Sequence, residues 1–265
     1  MTKFEFNQAM YLKRINFDKK ITTSFESLKA LHHAQLFTIP FENFDIVLGK
    51  GINLTPNSLF QKLVQNNRGG YCFELNGLFL MALQAFGFNA RGLLARVHVS
   101  GTPSGKSHQF TLVTINGKQW IADVGFGSGT MQEPIPLILD QITSNSKQTF
   151  RLIDCPPFGI MLQRRVDNVW KDQYSFTLEH IFPNDIAMAN HYTSTSPDSF
   201  FTQSRVAVLP TALGINTLNN HLLKQNIGGD LIEHHLDEEQ SYIDYLYNYF
   251  DIRLDATIED FRAIQ

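Results

Sequence analysis

Apolar residues recur at three- and four-residue spacing over residues 7 to about 88, in "FNQAMYLKRINF", "SFESLKALHHAQLFTI" and "PNSLFQKLVQNN". That period predicts a helical first third. Thr55 followed by Pro56 is a helix start signal, an N-cap residue with proline at the first helical position. A long apolar helix is predicted to begin near Cys72 and to close at Gly87. Over residues 91 to about 208 the period shortens. "GLLARVHV", "HQFTLVTI", "KQWIADVGF", "QTFRLID", "FGIMLQRRV" and "WKDQYSFTL" are short, rich in β-branched and aromatic residues, and separated by turn residues. The last part mixes strand-like "RVAVLPT" and "INTLNNHLLKQNI" with two expected helices, over residues 238–250 and 256–264. Helices in a run, then strands in a run, predict an α+β fold rather than a doubly wound sheet. There is no internal repeat and no low-complexity tract.

Composition narrows the functional class. Of 265 residues, 43% are hydrophobic and 18% charged, enough apolar material for a substantial core. The net charge of −3 and the absence of Lys/Arg runs argue against nucleic acid or an anionic membrane as partner. The stretch over residues 78–86 is broken by Gln84 and too short to span a bilayer, and the N-terminal residues carry no signal-peptide core. A cytoplasmic location is therefore expected. In that compartment the two cysteines, Cys72 and Cys155, are expected to be thiols rather than a bridge.

The chemistry concentrates in "NNRGGYCFELNGLFLMALQAFGF". Residues 66–70 do not continue a helix, whereas the chain from Cys72 onward does, so Cys72 falls at or near a helix N-terminus. Unpaired N–H groups and a partial positive charge there favour thiolate over thiol. A nucleophilic thiolate needs a base and a group to orient it. Asn116-Gly117 is a two-residue hairpin signal between "HQFTLVTI" and "KQWIADVGF". A turn over residues 115–118 pairs Leu112 with Ile121 and sets Phe110 opposite Asp123. His108 then shares a face with Asp123, on the diagonal and within reach of its carboxylate. An acid on a face of Phe110, Leu112 and Ile121 needs a partner, and His108 is the available one. The inference depends on register, since a one-residue slip puts the two on opposite faces. His32 and His33, adjacent on a helix, are weaker candidates, as are His191 and the pair His234-His235.

"RGGYCFELN" around Cys72, "IPFEN" at residues 39–43, the histidine of "SHQFTLV" and "WIADVGFG" together resemble the arylamine N-acetyltransferases, in order and in spacing. The chain is similar to the shorter, bacterial type. The resemblance implies a catalytic triad of Cys72, His108 and Asp123, the residues already selected by local argument. It implies a helical bundle (residues 1–90), a central antiparallel β-barrel (91–205) and a C-terminal α/β lid (206–265), with a core like that of cysteine proteases. It also implies acetyl-CoA as co-substrate, arylamines, arylhydrazines and N-arylhydroxylamines as acceptors, and a monomer or homodimer without a metal. An uncharged aromatic amine suits an apolar slot. Phe126, three residues past Asp123, is well placed to form one, with Phe37, Phe41 and Phe201 as further candidates.

Two charged features accompany these motifs. Glu42 lies in an apolar loop and needs a cation, which Arg68 is expected to supply beneath Cys72. Residues 100–107, "SGTPSGKS", resemble a phosphate-binding loop, but the first glycine is displaced and a strand rather than a helix follows. A nucleotide triphosphatase is thereby excluded. Gly101, Thr102 and Lys106 of this loop are nevertheless expected to contribute to holding CoA phosphates. A cysteine hydrolase or transglutaminase-like enzyme uses the same three residues, and pocket shape separates it from a transferase. A non-catalytic binding protein is disfavoured by the intact Cys72, His108 and Asp123. A zinc site on those three lacks a fourth ligand.

Overall fold

A computed structural model describes residues 4–145, 147–236 and 240–261. Its helices are α1 (Gln8–Arg14), α2 (Phe25–Leu36), α3 (Phe44–Val47), α4 (Pro56–Phe60), α5 (Cys72–Ala85), α6 (Pro183–Thr195), α7 (Phe200–Gln203) and α8 (Gln240–Phe250). The strands are β1 (Phe41–Glu42), β2 (Asn89–Val97), β3 (His108–Ile115), β4 (Lys118–Ala122), β5 (Ile135–Pro136), β6 (Ile142–Ser144), β7 (Thr149–Asp154), β8 (Ile160–Val166), β9 (Val169–Phe176), β10 (Val206–Pro210), β11 (Gly214–Asn219), β12 (Leu222–Ile227) and β13 (Asp230–His235). The fold class is α+β, as the pattern predicts.

Eight strands form one antiparallel sheet in the order β5-β4-β3-β2-β9-β8-β7-β6. The chain leaving β5 crosses to β7, where Leu139 bridges to Leu152, so the sheet nearly closes as a barrel. Its interior is filled by Leu93, Phe110, Leu112, Ile121, Phe150, Leu162, Tyr174 and Phe176. The opposite face of β3 and β4 packs on the helical region, where Val113, Ile115 and Ala122 join Leu75, Leu78, Phe79 and Leu83 of α5. With both faces covered, β3 is buried along nearly its whole length. Helix α5 is apolar nearly all round for the same reason, since other elements enclose it.

A second sheet, β1-β10-β11-β12-β13, draws its first strand from the N-terminal third. Phe41 and Glu42 pair with Val208 and Ala207. Helix α8 closes one face of this sheet through Tyr242, Leu246 and Phe250, which pack on Ala207, Leu218 and Leu223.

Two local expectations differ from the structure. Residues 183–195, within the stretch of strand character, form α6; Pro183 begins it, and the Asp185 carboxylate accepts the Phe182 N–H at 2.7 Å. Of the second C-terminal helix, the described residues hold a single 3-10 turn over Ile258–Asp260, opened by the Thr257 N–H donating to the Asp260 carboxylate at 2.7 Å. Residues 262–264 of that expected helix, and 238–239 of the preceding one, lie outside the described residues.

Candidate active site

Cys72 is the first residue of α5, preceded by Tyr71 in extended conformation. Glycines 69 and 70 make this approach possible. A Cβ on Gly69 would lie 2.3 Å from the Pro40 carbonyl oxygen, and one on Gly70 would lie 2.8 Å from the Glu74 carboxylate. The segment is stitched to "IPFEN" by Gly70 N–H donating to the Pro40 carbonyl (3.2 Å) and Glu42 N–H donating to the Gly70 carbonyl (3.0 Å). The expected Glu42–Arg68 pair is present. Arg68 donates to Glu42 Oε1 from Nη2 (2.7 Å) and Nε (3.1 Å), and Nη2 also reaches Asp45 at 3.1 Å.

The hairpin has the predicted register. Leu112 pairs with Ile121 and Ile115 with Lys118, and the turn residues Asn116 and Gly117 have φ of 50° and 75°. His108 and Asp123 therefore meet across the buried end of the barrel, with Nε2 and Oδ2 2.7 Å apart. Burial alone would raise the Asp123 pKa, but the facing His108, the Gly125 N–H and the Asn76 amide outweigh it and hold the carboxyl below its ordinary value. An ionised carboxylate only accepts, so Nε2 of His108 carries the proton and Nδ1 is left as the basic nitrogen.

Cys72 is nearly sealed from solvent, 3% exposed. Its Sγ donates to the carbonyl of Ser107, the residue before His108, at 3.8 Å. Here the expectation of a thiol pKa lowered by the helix N-terminus is corrected. Burial pushes the thiol up, Asp123 and Glu74 add to that, and the N–H groups of Gln109 and Phe73 oppose it only in part. Desolvation of a thiolate outweighs a helix-terminal dipole. Forming the thiolate here would need a base within the closed site.

Asn76, one turn after Cys72, ties the three residues into one unit. Its amide donates to the Gln109 carbonyl (2.7 Å) and to Asp123 Oδ1 (3.0 Å), while its oxygen accepts the Val124 N–H (3.1 Å). A Cβ on Gly125 would meet Asn76 Nδ2 at 2.8 Å and Cys72 Cα at 3.1 Å, so the chain past Asp123 lies directly on the start of α5. Behind Asp123, fully buried His32 donates from Nε2 to the Asp123 main-chain oxygen at 2.9 Å.

Phe126 meets the His108 ring edge-on at 4.8 Å and the Tyr174 ring at 4.9 Å. Phe41 and Phe201 lie together, ring centroids 5.9 Å apart, and Phe201 also meets Tyr71 at 5.6 Å. Phe37 is drawn elsewhere. It stacks on His33 at 4.0 Å and lines a cleft of about 480 Å³ with Glu133, Lys147 and Pro210, whose walls include none of Cys72, His108 and Asp123. Gly101 and Thr102 stand exposed on the β2–β3 loop. Lys106 lines a cavity of about 620 Å³ with Gly105, Ser107, Ile181 and Tyr192, its ammonium paired with Glu179. Among the described residues no helix is long and apolar enough to cross a membrane.

Residues 24–258 match the family model described as N-acetyltransferase. An arylamine N-acetyltransferase / N-hydroxyarylamine O-acetyltransferase of Salmonella typhimurium is 35% identical over 223 residues, covering 82% of this chain and 79% of that one. The solved arylamine N-acetyltransferase structure from the same organism superposes with a TM-score of 0.90 at 31% identity, over 96% of this chain and 95% of that one. The Mycobacterium marinum arylamine N-acetyltransferase in complex with CoA does so with a TM-score of 0.87 at 29% identity, over 93% of each chain. The chain belongs to the arylamine N-acetyltransferase family. It is an acyltransferase.

Within this arylamine N-acetyltransferase fold, several site residues escape sequence reasoning. Asn76 had a signal, a polar residue four positions from Cys72 on an otherwise apolar helix face. His32 had none, because only the fold brings α2 behind Asp123. Tyr174, whose ring lies 5.1 Å from that of His108, reads in sequence as one more aromatic strand residue.

Proposed function

We propose that the chain transfers an acetyl group from acetyl-CoA to an arylamine or arylhydrazine in two half-reactions through an acetyl-cysteine at Cys72. The observation that carries this reading is the buried His108–Asp123 pair at 2.7 Å beside a helix-terminal thiol that lies against the residue preceding His108. In the first half-reaction Nδ1 of His108 takes the thiol proton as Sγ attacks the acetyl carbonyl carbon. The bond to the CoA sulfur breaks, and CoA leaves with the proton returned by the imidazolium. In the second, the amine nitrogen attacks the same carbon, its proton passes to Nδ1, and Sγ departs. Asp123 holds the tautomer and offsets the imidazolium charge.

Phe126, with Phe41 and Phe201, supplies the apolar wall for the acceptor ring. The cavity beside Ser107 suits the CoA arm, and Lys106 can exchange its exposed Glu179 partner for a phosphate. The CoA complex of the Mycobacterium marinum neighbour supports this co-substrate, and the name of the Salmonella relative supports O-acetylation of N-arylhydroxylamines. Intact-mass measurement tests the reading. Acetyl-CoA should leave one acetyl group on the protein, lost on adding an aniline and absent in Cys72→Ala. Steady release of CoA without arylamine dependence would instead mark a hydrolase.

A further inference from the structure

Beneath the start of α5 lies a cluster of charges that the transfer reaction does not use. Glu42, Asp45 and Glu74 face Arg68 and Lys62, three acids against two bases. Glu42 and Glu74 are 0% and 2% exposed. Arg68 serves Glu42 and Asp45. Lys62 is divided differently, with Nζ 2.7 Å from Asp45 and 2.7 Å from Glu74. It is the partner of Glu74, and it is aimed by an irregularity: residues Gln61–Gln65 form a single π-helical turn, and the Lys62 carbonyl is taken by the Arg68 N–H at 3.1 Å. Such turns recur at functional positions in helices.

Glu74 has a fixed task. Its Oε2 accepts the Tyr71 N–H at 3.1 Å and so closes the turn that presents Cys72. That task sets a carboxylate two residues from the sulfur, in a site where Asp123 already contributes a negative charge. A second anion there opposes the thiolate that must form in each half-reaction.

We propose that Lys62 is a positioning and charge-balancing residue for the nucleophile: it lets Glu74 hold the Tyr71–Cys72 turn as a carboxylate while offsetting much of that charge's opposition to a thiolate at Cys72. The inference rests on the reading of Cys72 as the nucleophile. The titratable groups acting on Cys72 are Asp123 from the barrel, itself paired with His108, and Tyr71 and Glu74 from the start of its own helix. Those facing Glu74 and Lys62 are Glu42, Asp45 and Arg68. Burial, with Glu42 and Asp45, raises the Glu74 pKa, and Lys62 is the group that opposes the rise, while for Lys62 the three surrounding acids outweigh burial and keep it charged.

The test is the pH dependence of Cys72 alkylation by iodoacetamide in the full chain, resolved from Cys155 by peptide mass. Glu74→Gln keeps an oxygen for the Tyr71 N–H but removes the charge, leaving Lys62 in excess. Its alkylation midpoint should fall by about one pH unit. Adding Lys62→Met should return the midpoint to near the wild-type value, a reversal that a purely structural role does not produce. If Glu74→Gln leaves the midpoint where it was, the proposal is overturned, whether or not the double variant folds. If both variants change only thermal stability, Lys62 is an ordinary ion-pair partner. Failure of wild-type Cys72 to alkylate faster than Cys155 at any pH would sink the nucleophile reading itself, a different outcome from the absence of a shift between variants.

Discussion

Asn76 and His32 hold Asp123 from opposite sides, one by its carboxylate and one by its main chain. His32 is completely buried, and burial lowers its pKa to about 4, against a weaker opposing pull from Asp123. The linkage sign follows from that direction. Above the unfolded value of about 6.5 both states are neutral and the group's contribution is fully present. Below it the unfolded chain gains a proton that the folded one refuses until about pH 4, so stability is lost as pH falls through that window. His32→Gln can keep an N–H for the Asp123 carbonyl and has nothing to titrate. Between pH 7.5 and 5.5 the wild type should therefore lose about 1–1.5 kcal/mol relative to this variant in urea unfolding. A gap that does not change with pH would mean that His32 titrates normally. Asn76→Ala should act on chemistry more than on stability. It leaves Asp123 short of a donor and frees β3 from α5, so acetylation of Cys72 should slow by about 10- to 100-fold, as loss of a buried orienting group does. Stopped-flow release of CoA measures it, and an unchanged rate would make Asn76 a packing residue only.

At the scale of elements, the parts legible in sequence were those whose local signals agree with their tertiary setting. The hairpin of β3 and β4 is one, where Asn116-Gly117 fixes a register that leaves no freedom for His108 and Asp123. The start of α5 is another, because Gly69 and Gly70 serve a close backbone approach that other residues cannot make. Helix α6 was hidden because "PNDIAMANHYTST" is poor in helix formers, and its apolar side chains point both ways: Met188 and Tyr192 are exposed while Asn190 is buried. Its buried face is polar because Asn190 accepts the Tyr71 hydroxyl, a contact between residues 119 positions apart. The thiol's raised pKa was unreadable for a related reason. A helix terminus is visible in sequence, but the depth of its burial is not. The Glu42–Arg68 pair, by contrast, was predictable, since a lone acid in an apolar loop has to find a cation. Arg68→Ala should cost about 3–5 kcal/mol, because Glu42 is left buried without its guanidinium. Thermal unfolding reads this, and an unaltered melting temperature would reduce the pair to a surface contact.

Over the whole molecule, one short motif joins parts of the chain that are far apart in sequence. Within "IPFEN", Phe41 and Glu42 form the first strand of the sheet whose other strands begin at Val206. Glu42 turns inward to Arg68, and Asn43 turns the other way. The Asn43 amide donates to the carbonyls of Phe201 (2.8 Å) and Ser204 (2.6 Å), and its oxygen accepts the Val206 N–H at 2.7 Å. A single side chain thus sets where the C-terminal sheet begins relative to Cys72, and where Phe201 stands relative to Phe41. Each of these three backbone groups is left without its partner in Asn43→Ala, so the variant should lose about 2–4 kcal/mol of stability. The functional consequence should be selective. Cys72, His108 and Asp123 are held by α5 and the hairpin, so the acetylation half-reaction should keep its rate within about twofold, the range expected where no shared partner couples the sites. The acceptor wall proposed at Phe201 should loosen, raising KM for the arylamine several-fold with kcat less affected. Parallel measurement of CoA burst release and steady-state arylamine turnover separates the two. Equal loss in both would show that the sheet positions the nucleophile as well as the acceptor slot.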